Sequence, residues 1–132
     1  MPNHVKDKVI IVTGAASGFG RLVSEKAAAL GGKLVCADIN AAQLDAVTTN
    51  IVSSGGAAEG VVADVTQLDQ MTALAARAIE RFGRIDVLVN NAGVMPLAFY
   101  ADHAQATAAW NRCIDINIKG VLNGILAVHD AM

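Results

Sequence analysis

Twelve residues near the N-terminus, Val-Ile-Ile-Val-Thr-Gly-Ala-Ala-Ser-Gly-Phe-Gly at 9–20, constrain this chain more than any other stretch. Four β-branched apolar residues in a row, Val9 to Val12, suit a strand buried on both faces, as in a parallel sheet. Gly14, Gly18 and Gly20 follow, and residues 21–30 then read as a helix. A glycine-rich turn from a buried strand into a helix gathers backbone N–H groups and the positive end of the helix dipole at one point. Glycine also lets an anion come close. The first reading is a nucleotide pyrophosphate, bound at the start of a doubly wound α/β domain. The spacing is Gly-x-x-x-Gly-x-Gly rather than Gly-x-Gly-x-x-Gly, and the Lys-Ser/Thr of a P-loop is missing. A strand-to-helix turn with no ligand has the same appearance. Other positions have to decide.

The rest of the chain repeats the same unit. Strands are predicted at 8–12, 33–37, 58–63 and 85–89, each followed by a helical pattern. The first helix is expected to face Leu22, Val23, Ala27 and Leu30 inward and to stop at Gly31-Gly32. Asn40 with Gln43 three residues on looks like a capping box, and Leu44, Val47 and Ile51 form the buried stripe of the second helix. Thr66 is expected to cap the third helix, with Asp69 at its third position. Its apolar face would carry Leu68, Met71, Leu74, Ala75, Ala78, Ile79 and Phe82, up to a stop at Gly83. A loop runs from Met95 through Tyr100, and helices follow at about 104–113 and 115–132. Ile114, Ile118, Val121, Ile125 and Val128 recur at spacings of three and four, so the last segment is amphipathic or buried all round. Alternation of strand and helix implies a parallel sheet with right-handed crossovers. No linker or composition break divides residues 1–132, so one domain is expected.

Composition removes several classes of function. With 54% hydrophobic and 17% charged residues the chain is too apolar to be disordered. No apolar run approaches the length that crosses a bilayer, and the polar start, Met-Pro-Asn-His-Val-Lys-Asp-Lys, is not a signal peptide. A formal net charge of −2 without a basic stripe argues against nucleic acid as a partner. Cys36 and Cys113 fall in a strand and a helix, form no metal-type pair, and are expected as buried free thiols in a reducing cytoplasm. His4, His103 and His129 are scattered, and no metal site is expected.

Three positions gain meaning from their place at strand ends, and a fourth from a polar residue in a helical pattern. Asp38 closes the second strand about 20 residues past the glycine loop, where an acid accepts the adenosine ribose hydroxyls and repels a 2′-phosphate. No Lys or Arg stands beside it, so NAD is favoured over NADP; a solvated strand-end acid is the plain alternative. Asp64 closes the third strand on the same sheet edge. It is placed to accept the adenine amine with the Val65 N–H on a ring nitrogen, or simply to complement the dipole of the helix that follows. Asn90-Asn91-Ala92-Gly93 ends the fourth strand, either as an ordinary turn or as backbone that approaches a cofactor. Asn117 lies in a helical pattern and marks a kink, a polar network or an exposed residue.

Together, Thr13-Gly14-Ala15-Ala16-Ser17-Gly18-Phe19-Gly20, Asp38, Asp64-Val65, Asn90-Asn91-Ala92-Gly93 and Asn117-Ile118-Lys119-Gly120 resemble the classical short-chain dehydrogenase/reductase family over essentially the whole chain. The resemblance implies a three-layer, Rossmann-type doubly wound sheet, here of about four strands in the order 3-2-1-4. It implies that Gly14, Ser17, Gly18, Phe19 and Gly20 bind pyrophosphate and that Asp38 binds the ribose. Asp64 and Val65 would hold adenine, and Asn91, Ala92 and Gly93 would line the cofactor. Asn117 matches the family's active-site Asn, which positions a water in a proton relay.

The resemblance also implies a Ser and a Tyr-x-x-x-Lys beyond the segment at which this sequence stops. The sole tyrosine, Tyr100, has Ala104 four residues on and does not match that position; nor is Lys119 the catalytic lysine. The expectation is a nucleotide-binding half that binds NAD and is inactive alone toward alcohols and ketones. It would act as part of an oxidoreductase or as a non-catalytic NAD-binding module or assembly subunit. An apolar fourth strand at the sheet edge, and a last helix rich in Ile and Leu, point to a homo-oligomer. A methyltransferase using S-adenosylmethionine shares the glycine loop and the acid after the second strand, but draws no support from Asn-Asn-Ala-Gly or Asn117.

Overall fold

The structure, a computed structural model, describes residues 1–97 and 100–132. Its apolar stretches form four parallel strands: β1 (Val9–Thr13), β2 (Lys33–Asp38), β3 (Ala57–Val62) and β4 (Val87–Val89). They lie in the order β3-β2-β1-β4. Val9 sits opposite Lys33 and Thr13 opposite Ala37, while Ile10 to Val12 pair with Val87 to Val89 on the other side. The sheet and its strand order are those the sequence predicts, with strand ends displaced by one or two residues.

Helices α1 (Gly18–Ala29), α2 (Ala41–Ser53) and α3 (Leu68–Phe82) follow the first three strands; α4 (His103–Ile114) and α5 (Gly120–Val128) follow the fourth. Successive residues of a strand point to opposite faces, and the core divides accordingly. Ile10, Val12, Leu34 and Cys36 meet Ala27 and Ala28 of α1 and Leu44, Val47 and Ile51 of α2. Val9, Ile11, Val35 and Ala37 meet Met71, Leu74, Ala75 and Ala78 of α3 and Val128 of α5. Helix, sheet and helix thus make three layers with an apolar cluster on each side of the sheet.

Three helix faces differ from the prediction. Helix α1 starts at Gly18 and buries Gly20, Ser24, Ala27 and Ala28, whereas Leu22, Val23 and Leu30 are exposed. Its first turn lies against the glycine loop, where only small residues have room, and the Ser24 hydroxyl is satisfied inside by donating to the Gly20 carbonyl at 2.8 Å. Thr66 does not cap α3: Gln67 takes the N-cap position, and Thr66 turns back to Asp64. Leu68 and Ile79, at the margins of the predicted apolar face, are exposed. At the far end of the chain, α4 stops at Ile114, a π-helical turn spans Asp115–Lys119, and α5 continues. Ile114, Ile118 and Ile125 of the predicted stripe are exposed, while Gly120, Gly124 and Val128 are buried. The π turn rotates one helix face relative to the next. The two glycines then let α5 approach the sheet edge more closely than isoleucine permits. An added Cβ at Gly120 would stand 2.7 Å from Val65 Cγ2, and one at Gly124 would overlap Asn90 Oδ1.

The predicted side-chain cap of α2 is present. The Asn40 side chain accepts the Gln43 N–H at 3.0 Å and caps α2. The predicted loop from Met95 through Tyr100 includes Ala98 and Phe99, which lie outside the described residues; Tyr100 opens a 3₁₀ turn, and its ring centroid stands 5.9 Å from that of Trp110. Cys36 and Cys113 are free thiols; Cys36 is buried, which pushes its thiol up, whereas Cys113, expected to be buried, is only half-buried beside the Val94 carbonyl. Among the described residues no helix is long and apolar enough to cross a membrane, and no group of three or more His, Cys, Asp or Glu could hold a metal ion.

Asp86 latches the start of β1. Its Oδ2 accepts the Val9 N–H at 2.9 Å, and its Oδ1 pairs with the Arg84 guanidinium at 2.6 Å. The Val9 bond first, then Arg84, holds this carboxyl below its usual range against the opposing effect of partial burial. The folded chain therefore binds this proton less readily than the unfolded chain. The resulting stability is complete above the ordinary carboxylate value of about 3.9 and is lost as pH falls through the depressed one. Urea midpoints measured between about pH 2 and 6 are expected to fall more steeply with acid for the native chain than for Asp86→Asn. Parallel curves would contradict this.

Candidate functional site

All four strands end on one edge of the sheet, and a cleft of about 620 Å³ runs along it, within the usual range for small-molecule sites. The loop after β1 crosses its floor. Gly14 has φ +64°, and a Cβ there would stand 2.9 Å from Ala92 Cα. A Cβ on Gly20 would overlap the Gly14 carbonyl oxygen. The glycines thus allow the loop to fold onto itself and onto the segment after β4. Ser17, the N-cap of α1, makes no side-chain cap bond, and the first helical bond is Arg21 N–H to the Ser17 carbonyl at 3.2 Å. Among the described residues the N–H groups of Gly18, Phe19 and Gly20 have no partner. These three N–H groups stand at the start of a 12-residue helix, the end whose dipole favours negative charge.

Thr13 ties this loop to the Asn-Asn-Ala-Gly turn. Its Oγ1 accepts the N–H of Asn91 and of Ala92, each at 3.1 Å, and donates to the Val89 carbonyl at 3.4 Å. The Asn91 amide in turn donates to the carbonyls of Thr13 (3.0 Å) and Gly14 (3.2 Å). Thr13 is 1% exposed, while Asn91 and Ala92 are half-buried and border the cleft.

The two strand-end acids are both held by backbone. Asp38 accepts the Ala16 N–H at 3.1 Å on Oδ2 and the Asn40 N–H at 3.0 Å on Oδ1. Its carboxylate is thereby fixed beside the glycine loop with lone pairs still free toward the cleft. Asp64 accepts both the N–H (2.9 Å) and the hydroxyl (2.7 Å) of Thr66 on Oδ1. Its own N–H donates to Gln70 Oε1 at 2.8 Å. Asp64 Oδ2 and the Val65 N–H have no partner among the described residues. An acceptor and a donor therefore stand side by side at this end of the cleft.

Asn117 occupies the middle of the π turn. Its Oδ1 accepts the Val94 N–H and its Nδ2 donates to the Val94 carbonyl, both at 2.8 Å. Nδ2 also reaches Cys113 Sγ at 3.3 Å. Both amide hydrogens are thus engaged, and the side chain clamps the segment after Gly93 to the helix pair.

The family profile described as short chain dehydrogenase matches residues 8–132. The chain belongs to the short chain dehydrogenase family. An uncharacterised oxidoreductase of Staphylococcus saprophyticus is 42% identical over 126 residues, 96% of this chain and 50% of that protein. Galactitol 2-dehydrogenase of Agrobacterium fabrum is 38% identical over 129 residues, covering 98% and 48%. The solved structure of a short chain dehydrogenase/reductase from Burkholderia phymatum, in complex with NAD, superposes with a TM-score of 0.92 at 36% identity. That alignment covers all of this chain and 46% of the other. The chain spans about half the length of the curated relatives it matches.

Within this short chain dehydrogenase chain, the cleft gathers Gly14, Ser17, Asp38, Asp64 and Val65, together with Asn91, Ala92 and Gly93. Gly18, Phe19, Gly20 and Asn117 are not part of its lining. The Phe19 side chain is 81% exposed, so only its unpartnered N–H belongs with those of Gly18 and Gly20. Asn117 reaches the cleft through Gly93 and Val94: a Cβ on Gly93 would lie 3.3 Å from its Oδ1. The opposite wall, with Arg112, Asp115 and Ile116, was not singled out in the sequence. Its only signal there is position, one turn ahead of Asn117. Thr13 carries a signal of its own, since a hydroxyl closing an apolar strand is a sign of a buried bond.

Proposed function

We propose that this chain binds NAD along the strand-end cleft as the nucleotide-binding part of an alcohol or ketone oxidoreductase. The observation that carries the reading is three different recognition groups along one sheet edge, two lining the cleft and the third in the loop that continues from Gly14 and Ser17 of its lining. The free N–H groups of Gly18, Phe19 and Gly20 suit a pyrophosphate. The Asp38 carboxylate suits a ribose diol and opposes a 2′-phosphate. Asp64 Oδ2 and the Val65 N–H match the amine and ring nitrogen of adenine. Gly14, Ser17, Asn91, Ala92 and Gly93 supply close backbone along the path between them. When bound, a nicotinamide ring supplies or accepts a hydride. Asn117 holds Val94 in place, so any water it orients sits at its backbone carbonyl or at the remaining lone pair of Oδ1.

Hydride transfer also needs a proton donor for the developing alkoxide, and loss of a general acid costs about 10²–10⁴ in rate. Tyr100 stands at the start of the 3₁₀ turn with Ala104 four residues on, so the chain by itself is proposed to bind without turnover. The second reading, a non-catalytic NAD-binding module or assembly subunit, rests on the same absence. Calorimetric titration is expected to give NAD binding at least about tenfold tighter than NADP, and a panel of alcohols and ketones to give no turnover. Equal affinity for NADP would remove the role given to Asp38, and turnover by the pure chain would remove the module reading.

The binding reading extends to assembly in a reducing cytoplasm, where the free thiols of Cys36 and Cys113 persist. Leu122, Ile125 and Leu126 of α5 are exposed, Leu126 by 64%, and β4 lies at the end of the sheet. A second copy of the chain is proposed to cover one of these surfaces. Sedimentation is expected to show a dimer or larger species whose population rises with concentration; a monomer throughout would contradict this.

A further inference from the structure

Helix α5 touches the acid end of the cleft through one hydrogen bond. Asn123 Nδ2 donates to the Val65 carbonyl at 2.8 Å across 58 residues of chain. That carbonyl belongs to the peptide plane between Val65 and Thr66, and the N–H of the same plane donates to Asp64 Oδ1 at 2.9 Å. One rigid amide thus carries the Asn123 bond at one end and the Asp64 bond at the other. Hydrogen bonds linked through an amide polarise and strengthen each other. Close packing supports the same contact: Gly120, one turn earlier, admits Val65 so closely that a Cβ would stand 2.7 Å from its Cγ2.

We infer that Asn123 is a positioning residue for base recognition: it sets the Val65–Thr66 peptide plane, and that plane sets the Asp64 carboxylate. The inference rests on the adenine reading of Asp64 and Val65. Asp64 Oδ2 accepts from the exocyclic amine of adenine, and the Val65 N–H donates to its ring nitrogen. Hypoxanthine reverses both groups, with a carbonyl in place of the amine and an N–H in place of the bare nitrogen. The site therefore distinguishes the two bases only while the carboxylate is held in place. A residue that merely stabilised α5 would weaken both dinucleotides alike.

The test uses the 132-residue chain and its Asn123→Leu variant, which keeps the volume and removes the donor. Asn123→Ala serves if leucine does not fold. NAD and nicotinamide hypoxanthine dinucleotide are the probes. The native chain is expected to prefer NAD by at least about tenfold, and the variant by about threefold or less, with the hypoxanthine analogue bound as before. In the ligand-free proteins, the Thr66 amide is expected to exchange its hydrogen at least about tenfold faster in the variant. An unchanged preference, or equal weakening of both probes, overturns the positioning role. Unchanged Thr66 exchange overturns the coupling itself and is read without any ligand. A native chain that binds without preferring NAD overturns the adenine reading instead, leaving the Thr66 exchange to judge the coupling.

Discussion

Replacing Gly20 with alanine is expected to abolish dinucleotide binding, weakening it by at least about 100-fold, and to cost about 1–3 kcal/mol of stability. The added methyl would overlap the Gly14 carbonyl oxygen and crowd the Asn91 amide. Neither is the loose end of a side chain. Gly14 is backbone, and the Asn91 amide is committed to the carbonyls of Thr13 and Gly14. Relief has to come from moving the first turn of α1 off the loop, and that turn carries the three free N–H groups. The loss of affinity should therefore exceed what the loss of stability alone suggests. Gly18 offers the contrast. It has φ +55°, and a Cβ there meets nothing within 4 Å. Asparagine tolerates that conformation, so Gly18→Asn is expected to change stability by less than about 1 kcal/mol. Urea denaturation and calorimetry on the two variants check both statements. Gly20→Ala with native affinity would remove the close-approach argument.

The second large effect is expected at Thr13. Thr13→Val preserves shape and removes the hydroxyl that accepts the N–H groups of Asn91 and Ala92. The Asn91 N–H keeps a second acceptor, the Val89 carbonyl at 3.0 Å, whereas the half-buried Ala92 N–H is left without a protein partner. An unsatisfied buried donor costs about 1–3 kcal/mol, and Thr13→Val creates one. Against a net stability of about 5–15 kcal/mol that is a large fraction. Thr13→Ser keeps the acceptor and loses one methyl, for a cost of roughly 1 kcal/mol. Urea midpoints are expected to rank native, serine, valine in falling order. A valine variant at least as stable as the serine variant would show that the Asn91 turn does not depend on the hydroxyl.

The parts of this fold that could be read from sequence are those where burial and period coincide. β1 and β2 are covered on both faces, so their unbroken apolar runs announce them, and Leu44, Val47 and Ile51 mark the inner face of α2 at helical spacing. The errors share one cause. Ranking residues by hydrophobicity assigns the core to Leu22, Val23 and Leu30 in α1 and to Ile114, Ile118 and Ile125 at the C-terminal end. Where a helix lies close against a loop or strand end, the buried positions go to Gly20, Ser24, Gly120 and Gly124, whose virtue is lack of bulk. The strand-end acids were legible because topology alone brings Asp38 and Asp64 to one edge. Their partners were not. Thr66 reads as a helix cap until its bond to Asp64 is seen, and nothing local to Asn123 points 58 residues back to Val65. A kink or a polar network at Asn117 is legible in its helical pattern, but its partner Val94 lies 23 residues away.

The central claim is that one edge of the sheet cradles an adenine dinucleotide, and a crystal structure of the chain grown with excess NAD tests it most directly. The account predicts pyrophosphate oxygens at the N–H groups of Gly18 to Gly20, a ribose on Asp38, and adenine between Asp64 and Val65. Clear density for the sheet edge with no dinucleotide on it, or one seated elsewhere, would contradict it.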